Sequence, residues 1–155
     1  MRVVVQRVSE GGVRIEKEDY TRNIKNGMVI LLGIRTGDSE KDADFLADKC
    51  SNLRIFSVGN EGERGDAKMN FSLQDVDGEA IVISQFTLYG DASRGNRPGF
   101  TEAARPEEAI PLYERFISRI KHNIGSDKVK SGIFGAMMDV KIINDGPVTI
   151  IIDSK

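Results

Sequence analysis

Cysteine and histidine are almost absent from this chain: its 155 residues include one of each, Cys50 and His122. A single thiol excludes an internal disulfide and any cysteine-rich metal site. A single imidazole means that a Ser-His-Asp or Cys-His arrangement would have to use His122, which lies beside Lys121 near the end of an expected helix, where such a ring commonly caps carbonyls. Cys50 belongs to the series Ala43, Leu46, Ala47, Cys50, Leu53, whose helical spacing marks a small core residue, not a nucleophile. The carboxylates are scattered over helices and loops without ligand spacing, so neither a metal nor a cofactor is expected. Long apolar runs are missing as well, none approaching the ~18 residues of a membrane span. No charged-then-apolar leader precedes the strand-like Arg2-Val3-Val4-Val5, and a cytoplasmic location is expected. Charge of one sign is also lacking. A formal net charge of -2 argues against coating DNA or any long nucleic acid, yet leaves room for a site that grips only the end of an RNA.

What is present is the composition of a globular protein, 39% hydrophobic and 30% charged, of a length that fits a single domain over residues 1–155. Strands are expected at Arg2 to Ser9, Val13 to Glu16, Thr21 to Ile24 and Met28 to Ile34, the last introduced by Asn26-Gly27. Asp38 or Ser39 offers a cap for a helix running to about Arg54. Its carboxylates Asp42, Asp44 and Asp48 read as a solvated face. Ile81, Val82 and Ile83 make Glu79 to Ser84 a buried strand. A second helix follows Pro106, with Ala109, Leu112, Phe116, Ile117 and Ile120 inward; Pro111 implies a late start or distorted first turns, and Asn123 and Gly125 a stop. Asp139 to Ile143 and Val148 to Ile152 are the final strands. Strands, helix, strand, helix, strands is an α/β pattern of packed layers, without the strict alternation of a doubly wound fold.

Conventional chemistry is hard to find. Gly59, Gly62 and Gly65 lack the Lys-Ser/Thr and helix of a phosphate loop, and Ser57 to Gly65 reads as an elongated surface loop. Two runs at strand ends remain. Ser84-Gln85-Phe86-Thr87-Leu88 is either the end of a buried strand, or a place where main-chain N–H groups near Phe86 and Thr87 meet a developing oxyanion without any titratable side chain. Asn144-Asp145-Gly146-Pro147 is a good turn-former between two strands.

These two runs, with Val5-Gln6-Arg7-Val8, Leu31-Leu32-Gly33, Lys68-Met69-Asn70, Arg97-Pro98-Gly99-Phe100 and Gly132 to Met138, resemble the D-aminoacyl-tRNA deacylase family over nearly the whole chain. The resemblance implies a three-layer α-β-β arrangement of mixed sheets with two main helices, assembled as a homodimer. It implies hydrolysis of the ester in D-aminoacyl-tRNA, and in glycyl-tRNA. Gln85, Phe86 and Thr87 would stand at the ester carbon, the terminal ribose hydroxyl taking the place of a protein base. Ser84, Ala103, Phe134 and Met138 would line the terminal adenosine and aminoacyl group. Gly146 and Pro147, as a cis pair braced by Arg7, would reach into the partner's pocket and exclude L side chains. Lys68, Arg94 and Arg97 are candidates for the tRNA phosphates, or plain surface charges. Two alternatives stay open: an esterase with Ser84 or Thr87 as nucleophile, and a non-catalytic module that binds RNA ends.

Overall fold

The computed structural model describes residues 1–57 and 68–155. Beyond Ser57, the expected loop to Gly65 lies outside them. Arg2–Ile15 form one strand, β1, where the sequence suggested two. The expected break fails because Gly11 and Gly12 are enclosed: a Cβ would lie 2.8 Å from Val29 on the first and 2.5 Å from Asn23 on the second. Glycine here permits close approach instead of a turn.

β6 (Asp139–Asp153) runs antiparallel along one edge of β1. The other edge is divided between β3 (Gly27–Gly33), on the first half, and β2 (Tyr20–Ile24), on the second. β4 (Glu79–Ser84) lies parallel to β3, and β5 (Val129–Ser131) parallel to β4. Register shifts between Gln6 and Val8, and between Val8 and Glu10, bend the β1–β6 ribbon and reverse its faces. Val3 and Val5 therefore enter the core under the helices, while Val8, Val13 and Ile15 enter a second core with Ile24, Val29, Ile81 and Ile83. β2 packs across β4 and β5, and the Tyr20 hydroxyl donates to the Ser131 carbonyl at 2.8 Å. Helices, a first sheet layer and a folded-over second layer give the three-layer α-β-β fold.

α1 (Glu40–Asn52) starts at Ser39, whose N–H donates to the Asp42 carboxylate at 2.9 Å. α2 (Pro106–Ile124) begins at Pro106 itself, with no late start, and keeps the exposed Pro111 inside it. The donor that Pro111 removes would have served Glu107 in the exposed first turn, where water can replace it. Ala109, Leu112, Phe116 and Ile120 are buried as expected, Ile117 half-buried, and Tyr113 joins them.

The three aspartates of α1 do not form a solvated face. Asp42 is buried; burial alone would raise its pKa, but hydrogen bonds from Ser39, Ser154 and Lys155 outweigh it and hold the carboxyl well below the ordinary range. Asp44 and Asp48 turn toward α2. Arg115 grips Asp44 with two 2.7 Å hydrogen bonds, and Arg119 grips Asp48 at 2.7 and 2.8 Å. The i, i+4 spacing on each helix sets two carboxylates against two guanidiniums, a relation no single-helix pattern discloses.

Candidate active site

Past Ser84 the chain tightens into a 3-10 turn, Phe86–Tyr89. The Gln85 N–H still donates to the Leu32 carbonyl at 2.8 Å; then Leu88 N–H donates to Gln85 and Gly90 N–H to Thr87, at 3.2 and 2.9 Å. Phe86 and Thr87 occupy the first turn, where a helix offers no acceptor, and their N–H groups have no protein partner among the described residues. Phe86 is 57% exposed and meets Phe100 edge-on, ring centroids 5.2 Å apart. The exposed Thr87 hydroxyl accepts a hydrogen bond from the Gln85 amide.

Other candidates gather at the ends of β3 and β4. Ala103 N–H donates to the Phe100 carbonyl at 3.2 Å, and Ala104 N–H to Ile34 at 2.9 Å. Met138 closes over Gly132, where a Cβ would lie 2.5 Å from its sulfur and 3.3 Å from Ile83. Phe134 packs edge-on against Tyr113, centroids 5.7 Å apart. The Tyr113 hydroxyl is 2.9 Å from the Val82 carbonyl and 3.2 Å from that of Gly132, joining α2 to β4 and to the residue that follows β5; burial pushes its pKa up. Sequence reasoning passed over Tyr113, although its place one position after Leu112 and three before Phe116 sets it on the inner stripe.

Gly146 and Pro147 do not form a turn between two strands. Gln6 pairs with Thr149 and Val8 with Asn144, so Asp145 to Val148 stand opposite Arg7 alone, a wide bulge within β6. Pairing with β1 resumes on both sides, and the chain never reverses. The Gly146-Pro147 peptide is cis, Gly146 has φ 120°, and both residues are exposed. Arg7 braces the bulge: its Nε donates to the Asp145 carbonyl at 3.2 Å and its Nη1 to the Ile55 carbonyl at 2.6 Å. Asn144 Oδ1 accepts the Val148 N–H at 2.9 Å.

A single chain does not unite this bulge with the 84–88 turn. Ser84 is on the rung of Leu32 and Val3, whereas Arg7 is on that of Met28. Four residues of strand separate them, about 13 Å at ~3.3 Å per residue.

Arg94 and Arg97 lie on an exposed loop closed by two 2.8 Å hydrogen bonds between Asp91 and Gly99, directly before Phe100. Neither arginine has an ion-pair partner among the described residues. Lys68 is also exposed. Cys50 is buried, and desolvation pushes its thiol up to about 12. His122 is exposed, and its imidazole makes no hydrogen bond to a described residue. No group of three or more His, Cys, Asp or Glu side chains placed to hold a metal ion occurs among the described residues.

The fold is a mixed α/β one with two helices over a folded sheet, and the strand-end candidates present main-chain groups more than titratable side chains. A family model described as D-Tyr-tRNA(Tyr) deacylase matches residues 4–153, and the chain belongs to that family. It is similar to the D-aminoacyl-tRNA deacylase of Thermotoga petrophila, 50% identical over 99% of this chain and 97% of that protein. The Brevibacillus brevis D-aminoacyl-tRNA deacylase is likewise 50% identical, over 99% of this chain and all of that one. A solved structure titled c-Myc DNA Unwinding Element Binding Protein superposes with a TM-score of 0.88 at 34% identity, covering 100% of this chain and 99% of that one. A probable eukaryotic D-amino acid tRNA deacylase shares the fold, with a TM-score of 0.84 at 17% identity over 98% of each chain.

Proposed function

We propose that this protein is a homodimeric, cytoplasmic D-aminoacyl-tRNA deacylase that also accepts glycyl-tRNA and uses no metal or cofactor. Water attacks the ester carbonyl, the bond to the ribose oxygen breaks, and a free D-amino acid and tRNA leave. The N–H groups of Phe86 and Thr87 receive the developing oxyanion, and a terminal ribose hydroxyl relays the proton. Ser84, Ala103, Phe134 and Met138 enclose the adenosine and aminoacyl group. Gly146 and Pro147 enter from the partner subunit and leave no space for an L side chain. Arg94, Arg97 and Lys68 meet acceptor-end phosphates.

The observation that carries the reading is that the N–H groups of the exposed residues Phe86 and Thr87, just past the end of β4 and beside aromatic side chains, have no protein partner among the described residues. A Ser/Thr nucleophile is disfavoured: the side chain bonded to Thr87 is an amide, which takes up no proton at neutral pH. The test is hydrolysis of matched D- and L-tyrosyl-tRNA with a chelator present. D-selective turnover should persist, and His122→Ala should stay within a few fold of the parent. A drop of ~10³ in that variant would make the imidazole a general base, and binding without turnover would leave only an RNA-end module.

A further inference from the structure

A cleft of about 470 Å³ opens beside the 84–88 turn, lined by Arg2, Arg35, Tyr89, Gly90, Glu102 and Asp153 among others. It shares two segments with the site. Leu88, Tyr89 and Gly90 continue the turn that begins at Phe86, and Glu102 directly precedes Ala103. Phe100 touches both site and cleft: it meets Phe86 edge-on and so crowds Gly90 that a Cβ there would lie 3.0 Å from its ring.

The lining is polar, and its charges differ in what they have left to offer. Arg2 is engaged at all three nitrogens: Nε and Nη2 donate to Asp153 at 2.7 and 3.1 Å, Nη1 to the Leu88 carbonyl at 3.3 Å, and its Cζ lies 5.6 Å from the Tyr89 ring centroid. Lys155 turns to Asp42, 3.2 Å away. Arg35 instead pairs with Glu102 through one nitrogen and one oxygen, both side chains 53% exposed. The other guanidinium donors of Arg35 and the second Glu102 oxygen have no partner among the described residues, so the pair still offers both donors and an acceptor. A pyrimidine edge with an amino group and a ring carbonyl complements such a pair, since carboxylates accept from the amino group and guanidinium donates to the carbonyl.

We propose that this cleft is the subsite for the nucleotide on the 5′ side of the terminal adenosine, with Arg35 and Glu102 reading its base edge. It rests on the deacylase reading, because it places the second nucleotide of the same RNA end.

The test compares D-tyrosyl-adenosine with D-tyrosyl-cytidylyl-adenosine as substrates for the parent, Arg35→Leu and Glu102→Gln. The parent should cleave the dinucleotide with the higher kcat/KM, and each variant should lose about 10-fold on it, as expected of a base-edge contact, while cleaving D-tyrosyl-adenosine at the parental rate. Both side chains are exposed, so folding should be unaffected; thermal unfolding verifies this. Equal rates on both substrates in the parent, or equal losses on both in the variants, overturn the subsite. Failure of the parent on either compound and on D-tyrosyl-tRNA overturns the deacylase reading, and the subsite with it.

Discussion

Arg7 and Gly146 show how little side-chain chemistry the proposed chiral filter uses. Gly146 sits at φ 120°, and a Cβ there would lie 2.8 Å from Arg7 Nη2 and 2.9 Å from Val148. Gly146→Ala combines that crowding with a backbone region L residues avoid, so it should cost about 1–3 kcal/mol, read as a lower urea midpoint. The same variant should lose discrimination between D- and L-tyrosyl-tRNA, because Arg7 must yield and the bulge with it. An unchanged ratio of D to L hydrolysis would move the filter elsewhere. Little of this could be read locally. Asn144-Asp145-Gly146-Pro147 carries every mark of a turn, and only continued pairing with β1 makes it a bulge.

The pairing of α1 with α2 has a pH signature. Hydrogen bonding to Arg115 holds Asp44 below the ordinary carboxylate range, and Arg119 does the same for Asp48. A carboxyl depressed in the fold adds stability above its unfolded pKa, and loses it as pH falls through the folded value. Arg119→Gln should therefore have a lower urea midpoint than the parent at neutral pH, the gap closing as pH falls below the ordinary carboxylate range. A gap that persists at low pH would point to lost packing of the arginine stem. Elements themselves were legible where local chemistry decides: the Ser39 cap and the β-branched run of β4 appear where expected. What faced the acidic stripe of α1 was not, because helical periodicity describes one helix and says nothing of its neighbour.

At the scale of the molecule, the sheet leaves a face uncovered. Val4 pairs with Leu31 on one side and Ile151 on the other; the first two are half-buried and Ile151 is 64% exposed. Three apolar side chains in one row, on the strands that carry the bulge, suit contact with a second copy. On the proposed homodimer, Ile151→Glu should yield a monomer by sedimentation equilibrium with unchanged far-UV circular dichroism and little deacylation, since each site would then lack the Gly146 and Pro147 proposed to come from the partner. A dimer that survives the glutamate would place the interface on another face. The candidate catalytic run is singled out by family resemblance, since physical reasoning alone favours reading Ser84 to Leu88 as a strand end. The separation of bulge and turn within one chain became visible only with the strand register.

The wide bulge also acts as a parity count. Val140 and Ile142 point into one core and Ile150 and Ile152 into the other, although all four numbers are even. The reversal depends on how many residues lie between Asn144 and Thr149. Asn144 to Thr149 is five steps, so removing one residue would restore strict alternation with Ile150 and Ile152 still inward. A single-residue deletion there should keep a cooperative thermal transition even as it loses the filter, and an unfolded variant would show that the bulge itself holds the two cores in place.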